Sequence, residues 1–332
     1  MKDSPQELIP RRLFMAGLAG TISFAAADLM AQNSPGAEPP QSSSPSRGTE
    51  SAGTDLQISN ASHLNSPFFI FENGLGGKSP DQEAELAKEI GFDGIAFDGA
   101  MLVPERLKAV DEQGLQFFFS YLGVDISDGH IVYESGTETA IRALKGRSTI
   151  VWLMIRGNGA GAEQRAVEAA RTICDLAAQV NVRVALYPHY GSNPARLSDA
   201  LRIADQAGRS NLGVTFNLCH ELRSGLDPDI KGLFEEALPR LYAVSINGAD
   251  KHVEGENLEH AKWDALIHPL GSGSFDVAGL VQTLVQVGYR GPIGLQCFGA
   301  KGDPRTNLQH SMQAWRTITH QIVTSSQNSN SL

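Results

Sequence analysis

Cysteine is scarce in this chain, and acidic residues outnumber basic ones. Three cysteines, Cys174, Cys219 and Cys297, lie far apart among 332 residues and form no CxxC pair. This spacing excludes a scaffold built from disulfides and the usual zinc clusters, although it leaves a single disulfide open. The 27 lysines and arginines against 37 aspartates and glutamates give a formal net charge of −10. We therefore expect no nucleic-acid partner, since such a partner requires a basic surface.

The chain also lacks a long hydrophobic run. No segment approaches the ~18 consecutive apolar residues of a membrane-spanning helix, so we expect no stable membrane span once a signal has been cleaved. Near the amino terminus, Arg11 and Arg12 precede a short, mildly apolar stretch over residues 15–29. This pattern predicts a Tat-type signal peptide over residues 1–31 and export to the periplasm. The alternative is an ordinary secretory signal or membrane anchor behind an incidental arginine pair.

Two segments have too few large apolar residues to fold. Residues 32–66 are rich in Ser, Pro and Gly and predict a disordered linker, and residues 323–332 predict a disordered tail. The remaining domain, residues 67–322, has the usual size of an eight-stranded β/α barrel, about 250 residues.

Short, apolar, β-rich runs recur along this domain, with amphipathic helical patterns between them. Several runs are continuously apolar, as strands buried on both faces are. Eight strands alternating with helices predict an α/β fold, a single-domain (β/α)8 TIM barrel. The eight runs are Phe68–Phe71, Gly94–Phe97, Gln116–Tyr121, Thr149–Ile155, Val182–Tyr187, Leu212–Asn217, Leu241–Ile246 and Ile293–Phe298.

In such barrels, functional groups lie at the carboxyl ends of the strands. The side chains predicted there are mainly amides and imidazoles, which suit a hydroxylated ligand because amides donate and accept hydrogen bonds and imidazoles move protons near neutral pH. We select His189, His220 and Glu72 as candidate catalytic residues. The candidate substrate-binding residues are Tyr187, Asn217, Asn247, Gln296 and Arg156.

The order of several motifs resembles the xylose isomerase-like TIM barrel family, which includes sugar and sugar-phosphate isomerases and epimerases. The resemblance spans about residues 68–318 and implies a sugar isomerase or epimerase. The motifs are Gly91-Phe92-Asp93-Gly94, Leu186-Tyr187-Pro188-His189, Asn217-Leu218-Cys219-His220, the segment from Pro269 to Asp276, and Gly288-Tyr289-Arg290-Gly291-Pro292.

Metal-dependent members of that family place Glu, Asp, His and Glu at the ends of strands five to eight. In this chain the matching positions hold Tyr187, Asn217, Ser245 and Gln296, although Asn247 lies close to the third position. Hard divalent cations are held mainly by carboxylate oxygens, which this set lacks. We therefore predict no metal site of the family type. Manganese, magnesium or zinc stays open as a cofactor for which the ligand carboxylates are missing.

Each candidate also has a structural interpretation. Glu72 could act as a general base if burial raises its pKa, but we favour an ion pair with Arg156. Asn217 and Gln296 lie in apolar strands, where an unpaired amide costs a few kcal/mol, so each must bond to a ligand, to water or to neighbouring groups. The two histidines could be held by nearby backbone.

The sequence thus predicts an exported sugar isomerase or epimerase that acts on a carbohydrate or keto-sugar without the family-type metal. Proton transfer next to a carbonyl would involve His189, His220 or Glu72. Two alternatives stay open: a non-catalytic carbohydrate-binding protein on the same barrel, and a metal-dependent isomerase whose ligands lie elsewhere. The expected partner is a small carbohydrate, and a homo-oligomer stays open.

Overall fold

The computed structural model describes residues 66–251 and 262–329. The predicted signal peptide over residues 1–31, and the predicted linker except its last residue, lie outside these ranges and stay predictions. Within the described ranges, no helix is both long enough and apolar enough to cross a bilayer.

Eight parallel strands form a closed ring, which confirms the predicted (β/α)8 barrel. The strands follow one another in the order β2-β1-β9-β8-β7-β6-β5-β3, and β2 pairs with β3 to close the ring. A ninth short strand, β4, pairs antiparallel with the end of β3, outside the ring. The described strands are β1 (Phe68–Phe71), β2 (Gly94–Asp98), β3 (Gln116–Asp125), β4 (Val132–Tyr133), β5 (Ile150–Arg156), β6 (Val184–Leu186), β7 (Leu212–Asn217), β8 (Leu241–Ile246) and β9 (Ile293–Leu295).

Helices connect the strands on the outside of the ring. The last helix continues to Ser329, beyond the domain boundary predicted at residue 322, because extending a formed helix adds one hydrogen bond for each residue fixed. The described helices are α1 (Pro80–Ile90), α2 (Val103–Glu112), α3 (Thr137–Ala143), α4 (Ala162–Ala178), α5 (Leu197–Ala207), α6 (Leu218–Ser224), α7 (Ile230–Ala237), α8 (Trp263–Leu266), α9 (Val277–Gln286) and α10 (Pro304–Ser329).

Local sequence signals explain where helices begin and end. The Ser79 side chain accepts a hydrogen bond from the Gln82 N–H at the start of α1, and Gly91 ends that helix with a φ of 102°. A left-handed residue there favours glycine, which has no Cβ to clash. Asp276 caps α9 by accepting from the Gly279 N–H at 2.9 Å.

Aromatic side chains fill the lower part of the barrel interior. The Trp152 ring stacks on Phe119, with centroids 4.3 Å apart, and contacts Phe71 at 5.1 Å and Phe69 at 5.9 Å. All four residues are buried. Gly294 on the neighbouring β9 leaves room for this cluster, because a Cβ there would lie 2.2 Å from the Phe69 ring. The interior is therefore closed at this level, and a ligand must be held above it, at the carboxyl ends of the strands.

Candidate active site

Two predicted catalytic histidines meet at the carboxyl end of the barrel. His189 follows β6, and His220 lies in α6, directly after β7. Their ring centroids are 4.0 Å apart. Both rings contact Tyr187, at 6.5 and 6.0 Å between centroids, and Trp263 contacts His220 at 5.4 Å. The fold thus brings residues from two neighbouring strand ends into one imidazole pair.

The hydrogen bonds of the pair define where a proton can be taken up. Nδ1 of His189 lies 2.9 Å from the Tyr190 carbonyl oxygen, so Nδ1 carries the proton and Nε2 keeps a free lone pair. Burial lowers the pKa of His189, and the cation of Arg156 lowers it further. Burial also lowers the pKa of His220, with added effects of His189 and Arg223. Both imidazoles are therefore neutral near pH 7, the form that a general base needs.

Tyr187 lies beneath the imidazole pair and is held by Gln296. The Gln296 amide forms a hydrogen bond with the Tyr187 hydroxyl, while Oε1 of Gln296 accepts from the Phe298 N–H at 2.9 Å. Burial raises the pKa of Tyr187 well above its ordinary value. The phenol therefore stays protonated and can serve only as a neutral hydrogen-bonding group.

The other two predicted binding amides are tied to the protein itself. Asn217 is fully buried, and its Nδ2 donates to the Pro188 carbonyl at 2.9 Å. Nδ2 of Asn247 donates to the carbonyls of Gly248 and Leu266, both at 2.7 Å. Asn217 therefore belongs to a hydrogen-bonded network of the protein, and its role in ligand binding stays a prediction.

The predicted ion pair of Glu72 with Arg156 is wrong. Both carboxylate oxygens of Glu72 accept from Nη2 of Arg106 at 2.9 Å, and Oε2 also accepts from the Asp98 N–H at 2.7 Å. The reason is topological: α2, which carries Arg106, follows β2, the neighbour of β1, whereas β5 is three places away from β1 in the ring. Arg106 therefore positions the Glu72 carboxylate, which in turn binds the backbone at the end of β2.

Arg156 instead lies over β3. Its guanidinium packs on Gly123, where a Cβ would lie 3.3 Å from the two terminal nitrogens. The side chain is solvent-exposed at the mouth, and its charge acts on both Asp98 and His189. Arg156 therefore remains available to an anionic or carbonyl oxygen, as its predicted binding role requires.

Asp98 is the acidic residue at the mouth that the sequence interpretation did not select. It ends β2, pairs in register with Tyr121 on β3, and its carboxylate makes no hydrogen bond or ion pair in the described part of the chain. Solvent reaches Asp98 through the mouth, yet the surrounding protein desolvates the carboxylate, and the charges of Glu72 and Glu134 add to this effect. Together they raise the pKa of Asp98 to about 6.

Asp98 and the imidazole pair lie across the mouth from each other. From β2, the ring runs through β3, β5 and β6 to β7, which is four places of eight and thus diametrically opposite. The only sequence signal for Asp98 was an acidic residue at the end of an apolar run, Gly94–Phe97. The mouth therefore holds proton-transfer groups on two opposing sides.

A sequence model described as "Xylose isomerase-like TIM barrel" matches residues 84–318 of this chain. The chain belongs to the xylose isomerase-like TIM barrel family. The sequence matches no curated protein.

Solved structures of this fold include sugar epimerases and a dehydratase. A 3-keto-D-glucoside 4-epimerase from E. coli has 18% identity over 76% of this chain and 99% of its own, with a TM-score of 0.62. A probable 3-DHS dehydratase from Bacillus anthracis has 17% identity over 75% and 98%, with a TM-score of 0.60. A D-allulose 3-epimerase from Methylomonas sp. has 15% identity over 76% and 98%, with a TM-score of 0.59. At these identities the likeness shows the fold.

In the described part of this xylose isomerase-like barrel, the residues at the strand ends do not fit a divalent cation. Register pairs Asn217 with Ser245, so these two do stand side by side, and the Ser245 hydroxyl donates to Oδ1 of Asn217 at 2.7 Å. Oε1 of Gln296 likewise already accepts a hydrogen bond, from the Phe298 N–H. Residues 66–251 and 262–329 contain no group of three or more His, Cys, Asp or Glu side chains arranged to hold a metal ion.

Proposed function

We propose that this protein is a metal-independent sugar epimerase or isomerase that moves a proton on the carbon next to the carbonyl of a keto-sugar. The observation that carries this proposal is the neutral imidazole pair, with Nε2 of His189 free to accept a proton, placed across the mouth from the unpaired carboxylate of Asp98. The family and the similarity in fold to two named sugar epimerases support the same class of reaction.

The chemistry follows from the two opposing groups. Nε2 of His189 takes the proton from the carbon, and the electron pair left behind moves to the carbonyl oxygen to form an enolate. Asp98, a fraction of which is protonated because its pKa is about 6, then returns a proton to the opposite face of the same carbon, which inverts its configuration. In the reverse direction the two groups exchange roles. Delivery to opposite faces favours epimerisation over a transfer that stays on one face.

The enolate oxygen needs hydrogen-bond donors, because no cation of the family type neutralises its charge. The exposed guanidinium of Arg156 is suited to this task. Since donors replace a metal only in part, we expect slow turnover or a substrate whose carbon-bound proton is already acidic.

Solvent deuterium exchange tests the proposal. A panel of keto-sugars is incubated with the protein in D2O, and the hydrogen next to the carbonyl is followed by NMR. We expect deuterium at that carbon with the wild-type protein and much slower incorporation in His189→Ala, which keeps Asp98 as a base. His320→Ala, in an exposed position on α10, is the matched control and should exchange at the wild-type rate. Sugars that bind without any exchange would instead support a non-catalytic carbohydrate-binding protein.

We further propose that the protein acts after export, on the strength of Arg11 and Arg12 ahead of the apolar stretch. Cell fractionation of the full chain tests this. Replacing both arginines by lysine should leave the protein in the cytoplasm, whereas unchanged export would contradict a twin-arginine route.

A further inference from the structure

Large hydrophobic side chains are exposed at four positions in the described part of the chain, and all four follow the carboxyl ends of barrel strands. They are Met101, 66% exposed, Leu102, 47%, Val132, 60%, and Phe298, 59%. Met101 and Leu102 follow β2, Val132 lies in β4 beyond β3, and Phe298 follows β9. We call these four residues the apolar rim. They share the end of the barrel that carries His189 and His220.

The segments beyond β2 and β3 are joined. Oε1 of Glu134 accepts from the Ala100 N–H at 2.8 Å, and Oε2 accepts from the Gly123 N–H at 2.9 Å. The Glu134 carboxylate therefore links Ala100, the residue before Met101, to the β3–β4 pair that carries Val132. The two parts of the apolar rim are therefore parts of one surface.

Phe298 joins this surface through the turn after β1. A Cβ on Gly74 of that turn would lie 3.0 Å from the Cβ of Cys297, the residue before Phe298. The same turn carries Glu72, whose carboxylate holds the Asp98 N–H at the end of β2. The apolar rim thus follows β9, β2 and β3, with the turn after β1 between its two parts.

Leu102 has an unfavourable backbone conformation, and its side chain is exposed to solvent. Leu102 has a φ of 58°, in the left-handed region that residues other than glycine rarely adopt. The next residue, Val103, is buried, so the chain turns sharply between an outward and an inward side chain. Backbone conformations of this kind occur preferentially at ligand-binding positions.

The mouth therefore has two unlike halves. His189 and His220 lie on the side of β6 and β7, whereas the apolar rim lies on the side of β9, β2 and β3, together with Asp98 and the guanidinium of Arg156, which packs on Gly123. Four partly exposed side chains present far less than the roughly 800 Å² that each partner contributes to a stable protein interface. A surface of this size matches one apolar group of a small molecule.

We propose that the apolar rim binds an apolar substituent of the substrate, so that the substrate is a sugar conjugate, a glycoside with an aromatic or aliphatic aglycone, rather than a free sugar. The inference rests on the proposed function in one respect: the sugar ring lies between the histidines and Asp98. The aglycone then lies across Met101, Leu102 and Val132, where its burial removes apolar surface from water.

Binding of matched glycosides tests the inference without any catalytic readout. Methyl and phenyl glycosides of several sugars, together with their keto forms, are titrated into the full-length protein by calorimetry. We expect at least one phenyl glycoside to bind about tenfold more tightly than its methyl counterpart, as burial of a phenyl group allows. In the double variant Met101→Ser, Val132→Ser this ratio should fall to near one. Met101→Leu, Val132→Ile keeps the surface apolar and should keep the ratio.

Each outcome separates the two proposals. Equal affinity within every pair, including undetectable binding of both members, overturns the apolar subsite, even if deuterium exchange occurs. A phenyl preference that the serine variant abolishes supports the subsite, even if no exchange occurs. A ratio that stays unchanged while the serine variant turns a wild-type dimer into a monomer would show that the rim is an interface between copies of the chain.

Discussion

The hydroxyl of Ser245 donates a 2.7 Å hydrogen bond to Oδ1 of Asn217, across neighbouring strands at the top of the barrel. Nδ2 of the same amide donates to the Pro188 carbonyl after β6. Three adjacent strand ends, β6, β7 and β8, are thus joined through one neutral side chain. At the positions where the family resemblance implies a cation, the described residues of this chain form a hydrogen-bonded network.

Replacing Ser245 by alanine should destabilise the barrel. The change leaves Oδ1 of the fully buried Asn217 without a donor, which costs about 1–3 kcal/mol. Chemical denaturation should show a lower free energy of unfolding by that amount. Ser198→Ala, at an exposed position on α5, is the control and should leave the stability within about 0.5 kcal/mol. Equal stabilities of the two variants would show that the Ser245 hydroxyl is not needed.

Divalent cations should leave the protein unchanged. Because the side chains of Asn217, Ser245 and Gln296 are hydrogen-bonded within the protein, we expect no shift of the thermal midpoint on adding manganese, magnesium or zinc, and none on adding EDTA. A cation bound at 100 times its Kd would stabilise the protein by about 2.7 kcal/mol, so a real site would be plainly visible. A stoichiometric ion in protein purified without chelator would contradict this expectation.

The barrel could be predicted from the sequence because its signals are local and repeated. Each apolar run, such as Ile150–Arg156 or Leu212–Asn217, is short, rich in β-branched or aromatic residues, and separated from the next by a helical pattern. Such alternation permits few topologies. The short β4 carries no comparable signal, since two residues paired to the end of β3 have no periodicity to detect.

The site could be predicted only in part because it depends on contacts between distant residues. The pairing of His189 with His220 follows from their positions after neighbouring strands. The partner of Glu72 does not, because Arg106 reaches it from a helix and looks like any polar residue of an amphipathic pattern. The pKa of Asp98 depends on charges from four other segments, which become neighbours only in the folded barrel.

A buried acid on α1 should make the protein less stable as the pH rises. Burial raises the pKa of Glu83 to about 8, from an ordinary value of 4.5, and nearby Glu72 adds to the shift. Between these values the unfolded chain has released the proton that the folded protein still holds, so the free energy of unfolding falls across this window. Glu83→Gln mimics the protonated acid and should remove a loss on the order of 3 kcal/mol between pH 5 and 8.

Glu85→Gln is the matched control, because Glu85 is exposed on the same helix. Its stability should follow the wild-type pH dependence in denaturation at pH 5, 6, 7 and 8. In Glu83→Gln, part of the decrease of the unfolding free energy with rising pH should persist, because burial also raises the pKa of Glu221, to about 7. Parallel curves for wild type and Glu83→Gln would mean that Glu83 ionises normally in the folded protein.

The three thiols should be inert in the folded protein. Cys174, Cys219 and Cys297 are all free and buried, and burial raises the pKa of each to about 12. Since the thiolate is the reactive form, we expect no reaction with a disulfide reagent at pH 8 until denaturant is added, when all three should react. Reductant should leave the unfolding curve unchanged. Fast labelling of any thiol in the native state would contradict the buried arrangement.

If Asp98 transfers a proton, the pH dependence of deuterium exchange should reveal it. Its pKa of about 6 is set by desolvation, by the like charges of Glu72 and Glu134, and in the other direction by Arg106 and Arg156. The carboxylate form increases as the pH rises through 6. Exchange that uses Asp98 as the base should therefore rise through that pH and level off above about pH 7.

Two variants show whether the rise of deuterium exchange near pH 6 comes from titration of Asp98 or of the histidines. In Asp98→Asn the rise near pH 6 should disappear, whereas a rise caused by an imidazole would persist. In Glu134→Gln a like charge is removed, so the pKa of Asp98 should fall and the rise should move to lower pH. A profile that is unchanged in both variants would remove Asp98 from the mechanism and leave proton transfer to the imidazole pair alone.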